Sequence, residues 1–317
     1  MVIHLRQHLG TCRLRLLKRF AAHDLEQLRI FVAVAEREHM TRASEALCLV
    51  QSAVSSAIAA LEIRHDVKLF HRFGRRIQLT DAGRVFLDEA KAVLARSEAA
   101  ELVLSEFGGL SAGTLVIHAS QTIASYWLPS YLVQFQRAYP KIAIRLSIGN
   151  TAQVAKAVLN GDAELGFVEG QIAASLLEDT IIEGDRLVVV VGTTHPLARR
   201  RRISVDDLLQ LDWVLREAGS GTRSEFEDAL RHLGVRPQSL RVALELPSNE
   251  AIRAAVEAGS GATAISELVA KAGFSLGKLR KVPLELPARS FHVLKHRERY
   301  HSKAAQALLQ LIMKNAG

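Results

Sequence analysis

The chain has only two cysteines in 317 residues, Cys12 and Cys48. That count and spacing support neither a disulfide framework nor a thiolate metal site. Cys48, set among apolar neighbours, is expected to be a core thiol. Also missing is any apolar run near the ~18 residues that cross a bilayer, since residues 187–191 have the length of a buried strand. Residues 1–22 interrupt each apolar stretch with Arg, Lys or His, so they hold no secretory core. A cytoplasmic protein with no membrane partner is expected. Metal spacing is absent too: His292 and His296 lie four apart in a strand-like run, and His301 does not complete a site. Ser220, inside Gly219-Ser220-Gly221, is not a G-x-S-x-G elbow and has no base pattern beside it. The chain is therefore expected to be no enzyme and to need no cofactor.

What is present is ordinary globular composition, 49% hydrophobic and 23% charged, in a length that suits two or more domains. The net charge of +8 is unevenly placed. Residues 1–84 hold 14 Lys and Arg against 8 Asp and Glu, and the rest of the chain holds 27 against 25. A basic amino-terminal quarter on a nearly neutral body fits a nucleic-acid-binding domain joined to a module for a small partner.

Residues 41–61 (T-R-A-S-E-A-L-C-L-V-Q-S-A-V-S-S-A-I-A-A-L) hold two short helical patterns without Gly or Pro, as two helices joined by a tight turn would. Thr41 is the expected N-cap of the first, with Ala43, Ala46 and Leu47 on one side. In the second, Val54, Ile58 and Leu61 form a stripe to be buried, with Ala57 beside it. Its other face reads Gln51, Ser52, Ser55, Ser56 and Ala59, short polar groups suited to a helix in a DNA major groove. Upstream, Leu25, Leu28, Phe31, Val32 and Ala35 mark a third helix. Downstream, residues 68–80 read as strand, glycine turn and strand, placing Arg72, Arg75 and Arg76 where phosphate contacts are useful. Together these predict a winged helix-turn-helix. Arg42 and Thr80 complete the expected DNA face.

These motifs, D-L-E-Q-L-R-I-F-V-A-V-A-E, the run from Gln51 to Glu62 and L-F-H-R-F-G-R-R-I-Q-L-T-D-A-G, resemble the LysR-type transcriptional regulators from about His23 onward. The family's usual Ser, Pro and Arg are replaced by Val50, Ser52 and Ser56. Without the Ser the recognition helix loses a cap of about 1 kcal/mol; without the Arg a charged contact goes, so weaker or more salt-tolerant DNA binding is expected. Residues 1–22 precede the family's normal start and read as a basic arm, a disordered tail or an upstream start-codon choice, the last two favoured.

Residues 81–107 contain no Pro and one early glycine, Gly83, which predicts a helix roughly 37 Å long. Phe86, Ala90, Val93, Ser97, Ala100, Leu104 and Phe107 recur at heptad spacing, the seam of a dimer that would place two reading helices one DNA turn apart. The resemblance implies a homodimer, pairing further into a homotetramer, with RNA polymerase as a possible partner. Residues 108–113 read as a glycine-rich hinge.

The body repeats strand, helix, strand, helix, strand twice, at residues 114–168 and 212–265, predicting a mainly parallel sheet covered on both faces and folded as two α/β lobes. The expected division is 1–22 extension, 23–80 winged helix-turn-helix, 81–110 linker helix and 111–317 effector-binding domain. Its lobe I would comprise about 113–186 and 277–317, and its lobe II about 187–276. This arrangement resembles periplasmic solute-binding proteins. Ligands in such sheets sit where strands end and helices begin. There the chain carries Ser120, Gln121 and Thr122; Asn150 and Thr151; and Ser220, Gly221, Thr222 and Arg223. Each cluster alone also reads as a helix cap; three at equivalent positions favour a cleft for a small anionic metabolite. The four arginines at 199–202 read as a solvated loop. The expectation is a regulator that binds double-stranded promoter DNA under control of that metabolite. The alternatives are a cytosolic small-molecule-binding protein whose helical head serves assembly only, or an enzyme on a Rossmann-like body.

Overall fold

The computed structural model describes residues 25–73, 76–106 and 113–315. The expected extension at 1–22, with Cys12, lies outside them, as do Arg75, Phe107 and most of the 108–113 hinge. The chain divides into two compact units, Met1–Glu98 and Ala99–Gly317.

The first unit packs helices α1 (Leu25–Arg37), α2 (Met40–Ala46) and α3 (Gln51–His65) against a hairpin of β1 (Phe70–Phe73) and β2 (Arg76–Leu79), with the start of α4 (Asp81–Glu106) behind. The axes of α2 and α3 differ by 112°, within the range of a helix-turn-helix. Three residues of left-handed backbone make the turns: Glu38 between α1 and α2, Cys48 between α2 and α3, and Asp66, which ends α3 with its N–H on the Glu62 and Ile63 carbonyls. The stripe Val54, Ile58 and Leu61 is at most 1% exposed and meets Leu28, Phe31, Val34, Leu69 and Phe70 in one core. At the centre Phe31 packs on Phe70 and Phe86, ring centroids 5.6 and 4.8 Å away.

Several expectations are corrected here. Cys48 is exposed, because the turn carries its side chain outward. Ala46 and Leu25 are exposed as well, and Ile30, Ala33 and Val34 are buried in addition to the expected face of α1. Of the proposed dimer seam, Phe86 and Ala90 belong to this unit's own core. The heptad spacing is real, but its first turns close the winged-helix domain. Val93 and Leu104 are exposed at 48% and 73%.

In the second unit the strands run β4 (Ile142–Gly149), β3 (Gly113–Ser120), β5 (Leu165–Glu169), β11 (Ala288–His296), β6 (Leu177–Gly192), β9 (Ala262–Ser266), β7 (Asp212–Arg216), β8 (Arg241–Leu246), with β10 (Leu279–Lys281) beside β6. The outer ladders β3–β4, β3–β5, β7–β8 and β7–β9 are parallel. The middle ones, β5–β11, β11–β6, β6–β9 and β6–β10, are antiparallel, so the sheet is mixed rather than mainly parallel. Strand β6 serves both lobes: residues 177–186 pair with β11 and residues 187–191 with β9. At its crossing, Gly184 faces an irregularity in β11 between Arg289 and Phe291, and a Cβ on it would sit 1.8 Å from the Arg289 carbonyl oxygen.

Helices cover both faces of each lobe. In lobe I a single π-helical turn (Ile123–Trp127), α5 (Leu128–Ala138) and α11 (Lys303–Asn315) bury Leu128, Phe135, Leu308 and Ile312, while α6 (Thr151–Asn160) buries Val154 and Val158 opposite. In lobe II α7 (Val205–Leu209) and α8 (Gly221–His232) cover one face; α9 (Asn249–Glu257) and α10 (Glu267–Ser275) cover the other. The returning segment differs from expectation. Instead of reaching lobe I at 277, it first pairs β10 with lobe II and buries Val282 there, and it joins lobe I only at Ala288.

Candidate functional site

The outward face of α3 presents Gln51, Ser52 and Ser56 exposed and Ser55 half-buried, because Val54, Ile58 and Leu61 take the inward positions. A bond from Gln27 Nε2 to the Ala57 carbonyl, 3.0 Å, ties α3 to α1. Helix α3 begins at Val50, which is 69% exposed and offers its first turn no side-chain cap. Beside it, Thr41, Gln51, Ser55 and Arg72 line one groove of about 530 Å³ with His39 and Met40. Thus residues from α2, α3 and β1 that are far apart in sequence converge. Arg42 and Arg72 are exposed and have no carboxylate partner among the described residues. Arg76 starts β2, but its side chain lies outside the described residues, as does Arg75.

Two expectations are corrected: Thr41 lines the groove but is not the N-cap, and Thr80 is turned away from it. The N-cap of α2 is His39, whose Nδ1 accepts from the Arg42 N–H at 3.4 Å; Thr41 lies within the first turn. Thr80 is buried, its hydroxyl donating to the Lys68 carbonyl (2.7 Å) and accepting from the Gly83 N–H (2.9 Å), so it caps α4. Sequence reasoning also missed Glu62. Its buried carboxylate accepts from the Leu69 and Phe70 N–H groups at 2.8 and 3.2 Å and from Lys68 Nζ at 2.9 Å, fixing the wing to α3. Burial raises its pKa, but the Lys68 and backbone donors outweigh that and hold it below the usual 4.5.

In the second unit the clusters expected to bind an effector meet at the junction of the lobes. Gln121 Oε1 accepts from the Asn249 N–H (2.7 Å), and Asn249 Nδ2 donates to Thr122 Oγ1 (3.1 Å). Asn249 Oδ1 accepts from the buried Arg216 at 2.9 Å. Asn150 caps α6 in a capping box with Gln153 and donates to Glu217 Oε1 at 3.2 Å, while the Ala152 N–H reaches the Gly219 carbonyl. Gly221 packs so closely that a Cβ would lie 2.5 Å from Thr151 Oγ1. Ser220 precedes α8, buried, without a side-chain cap bond, and the buried Ser120 hydroxyl has no partner among the described residues.

Arg223 is corrected. It pairs with Glu227 (2.8 Å) and Glu245 and donates to the Arg216 carbonyl, so it braces α8 against β8 and is not a free anion ligand. A second buried arginine at the junction, besides Arg216, is Arg289, 5% exposed. It is bound to Asp185 through Nε and Nη2 and to Thr222 Oγ1 through Nη1 (3.2 Å). Asp185 also accepts from Ser266. Nothing in the spacing of Arg289 marked it, since its partners lie 104 and 67 residues away. Nearby, the Glu225 carboxyl is pushed up by burial and by the charges of Asp228 and Glu169, against the pull of Arg289 and His292.

Asp185 also lines an open groove of about 740 Å³ between the π-helical turn with α5 and helix α10. Its walls include the rings of Tyr126, Trp127, Tyr131 and Phe274, the cations Arg186 and Lys271, and, with Asp185, the carboxylates Glu183 and Glu267. Those two cations are exposed and have no carboxylate partner among the described residues. Trp127 is held rigid by Tyr131 and Phe291, 4.6 and 5.7 Å away. Among the described residues no group of His, Cys, Asp or Glu could hold a metal; His292 pairs with Asp179 at 2.6 Å.

Residues 25–84 match the family described as bacterial regulatory helix-turn-helix protein, lysR family, and residues 108–317 match the LysR substrate binding domain. Over 294 residues the chain is 32% identical to a probable RuBisCO transcriptional regulator of Trichormus variabilis, covering 91% of this chain and 87% of the relative. It is 36% identical over 290 residues to the uncharacterized HTH-type transcriptional regulator YeiE of Escherichia coli, covering 90% and 95%. Full-length OxyR from Pseudomonas aeruginosa shares the fold at a TM-score of 0.70 and 20% identity, over 92% of this chain and 95% of that one. The regulatory domain of Synechocystis CcmR in complex with 2-PG matches at 0.59 and 26% identity, over 64% and 97%.

Proposed function

The chain belongs to the LysR family and is a DNA-binding transcriptional regulator with an effector-binding domain, and from that premise we propose how its residues divide the work. Gln51, Ser52, Ser55 and Ser56 read base edges in the major groove, and Arg42, Arg72, Arg75 and Arg76 hold phosphates on either side. The observation that carries this is the groove where Thr41, Gln51, Ser55 and Arg72 converge on an uncapped helix start. Replacing Gln51 and Ser55 with Glu puts two carboxylates against the bases. Promoter occupancy in a footprinting assay is expected to vanish; unchanged occupancy would overturn the assignment.

The effector is a small anion taken by the groove beside Asp185, with Arg186 and Lys271 as its charge partners and Trp127 and Tyr131 as its apolar wall. The polar clusters at Ser120 to Thr122, Asn150, Thr151 and Ser220 to Thr222 act as the contacts between lobes that the ligand rearranges. Arg289 links the two, since it joins groove residue Asp185 to Thr222. An effector shifts such a junction only if it binds one lobe arrangement more tightly than the other. The CcmR regulatory domain, whose structure is in complex with 2-PG, makes that compound the first to titrate. Calorimetry is expected to show binding that weakens at least about tenfold in Arg186→Gln/Lys271→Gln, the cost of one charge-assisted contact. Binding of equal strength in the variant would remove the groove from consideration.

The remaining roles follow from the same premise. Val93 and Leu104 form the dimer seam, and the dimers pair into tetramers that contact RNA polymerase in the cytoplasm. The chain performs no catalysis. Sedimentation of Val93→Asp/Leu104→Asp as a monomer at micromolar concentration is the expected outcome; an unaltered oligomer would count against α4 as the seam.

A further inference from the structure

The four arginines at 199–202 take no part in any of these sites. Their loop is built to hold its shape. His195 Nδ1 accepts from the Leu197 N–H at 3.2 Å; Pro196 opens a 3-10 turn (Pro196–Arg199); and Leu197, 5% exposed, is anchored in the lobe II core. Beyond them Arg200 bonds Asp207 at 2.6 Å, and Asp207 in turn closes a capping box with Ser204 at the start of α7.

That leaves Arg199, Arg201 and Arg202, all exposed and without a partner among the described residues. Arg216, Arg223, Arg241, Arg253 and Arg299 of this unit are tied to carboxylates or carbonyls, and its other exposed arginines, among them Arg137, Arg186, Arg236 and Arg280, stand apart from one another in sequence, whereas Arg199, Arg201 and Arg202 fall within four residues. The charge count sharpens the contrast. Residues 111–317 carry 25 Lys and Arg against 20 Asp and Glu, so this one loop supplies most of the net positive charge of the effector-binding part of the chain. Three neighbouring guanidiniums on a braced turn offer planar, permanently charged donors, the geometry that phosphate diesters accept best. A protein already committed to duplex DNA has that polyanion within its own complex.

We propose that the loop at 199–202 is a second nucleic-acid contact, in which Arg199, Arg201 and Arg202 hold duplex phosphates beyond the bases read by α3. Such contacts add affinity and salt dependence without adding base preference. The loop therefore sets how strongly the regulator holds flanking DNA, and α3 sets which sequence it holds.

The test compares the full-length protein with Arg199→Gln/Arg201→Gln/Arg202→Gln on a long promoter duplex and on a short one limited to the bases contacted by the heads. A charge-matched control, Arg137→Gln/Arg236→Gln/Arg280→Gln, removes the same charge from exposed positions elsewhere. On the long duplex the loop variant is expected to show a log K against log salt slope shallower by about two to three units per engaged protomer. The control and the short duplex should show little change, and the ratio of specific to random DNA affinity should stay constant. Equal slopes for wild type and loop variant on the long duplex would overturn the proposal. So would a variant that binds DNA with an unchanged slope but no longer supports transcription, which would point to an acidic protein partner instead.

Discussion

Glu62 gives the sharpest test of the physical reading of the DNA-binding unit. Its carboxylate is 6% exposed, and one oxygen takes both the Leu69 and Phe70 N–H groups, bonding the entry into β1 to α3. Lys68 is 76% exposed, so its ion pair at the other oxygen contributes little. In Glu62→Ala the two amides lose their acceptor in a buried place, at about 1–3 kcal/mol each. Allowing for partial rescue by water, a loss of about 3 kcal/mol in local stability is expected. Hydrogen exchange in the intact protein, followed on peptides that span residues 66–80, reads that as an increase in exchange rate on the order of 100-fold. Peptides from β3 and β7 serve as the internal reference and should not change.

The same group makes a pH prediction. Because its folded pKa lies below the ordinary 4.5, its stabilisation is complete above that value and is lost as pH falls through the lower, folded pKa. The difference between wild type and Glu62→Gln should therefore be constant near neutrality and shrink only below 4.5. Wild-type protection in the wing from an alanine variant, or a difference that closed between pH 6 and 8, would refute the account.

Other outcomes follow from the packing. Gly83→Ala would place a Cβ 2.2 Å from the Leu69 carbonyl oxygen and 2.9 Å from Leu79 Cδ2, so thermal unfolding should show a loss of about 1–3 kcal/mol. Val50→Ser supplies the missing cap of α3 and should gain about 0.5–2 kcal/mol, read as slower exchange in residues 51–54. Arg289→Met strands the buried Asp185 charge and should cost about 3–5 kcal/mol, part of which returns when Asp185→Asn is added. A double variant no better than the single one would show that charge burial is not the cause.

Much of the architecture is visible in the sequence because it rests on local periodicity. The spacing of Val54, Ile58 and Leu61 specifies an inward face at any helical position, and the alternating strands and helices of the body follow from runs such as those in β3, β7 and β9. What periodicity does not specify is the object against which a face packs. Phe86 and Ala90 satisfy a heptad equally well in a dimer seam or under a winged helix, and Phe31 settles the matter from 55 residues away. Charge is equally ambiguous. Arg223 follows a Gly-Ser-Gly-Thr turn that suits an anion, but Glu227 one helical turn on and Glu245 on the next strand claim it. Arg289 and Asp185 carry no motif at all, and only the pairing of β6 with β11 brings them together.

That pairing has a mechanical result. A strand common to two bodies resists sliding and stretching, because either would break its ladders, but it yields readily to torsion. The torsion should concentrate at Gly184, the one residue of the crossing with no room for a side chain. Any message from a bound metabolite would then travel as a small angular change about this crossing and the return at residues 282–288, and drift in the pocket lining would alter what is sensed without altering the direction in which the response turns.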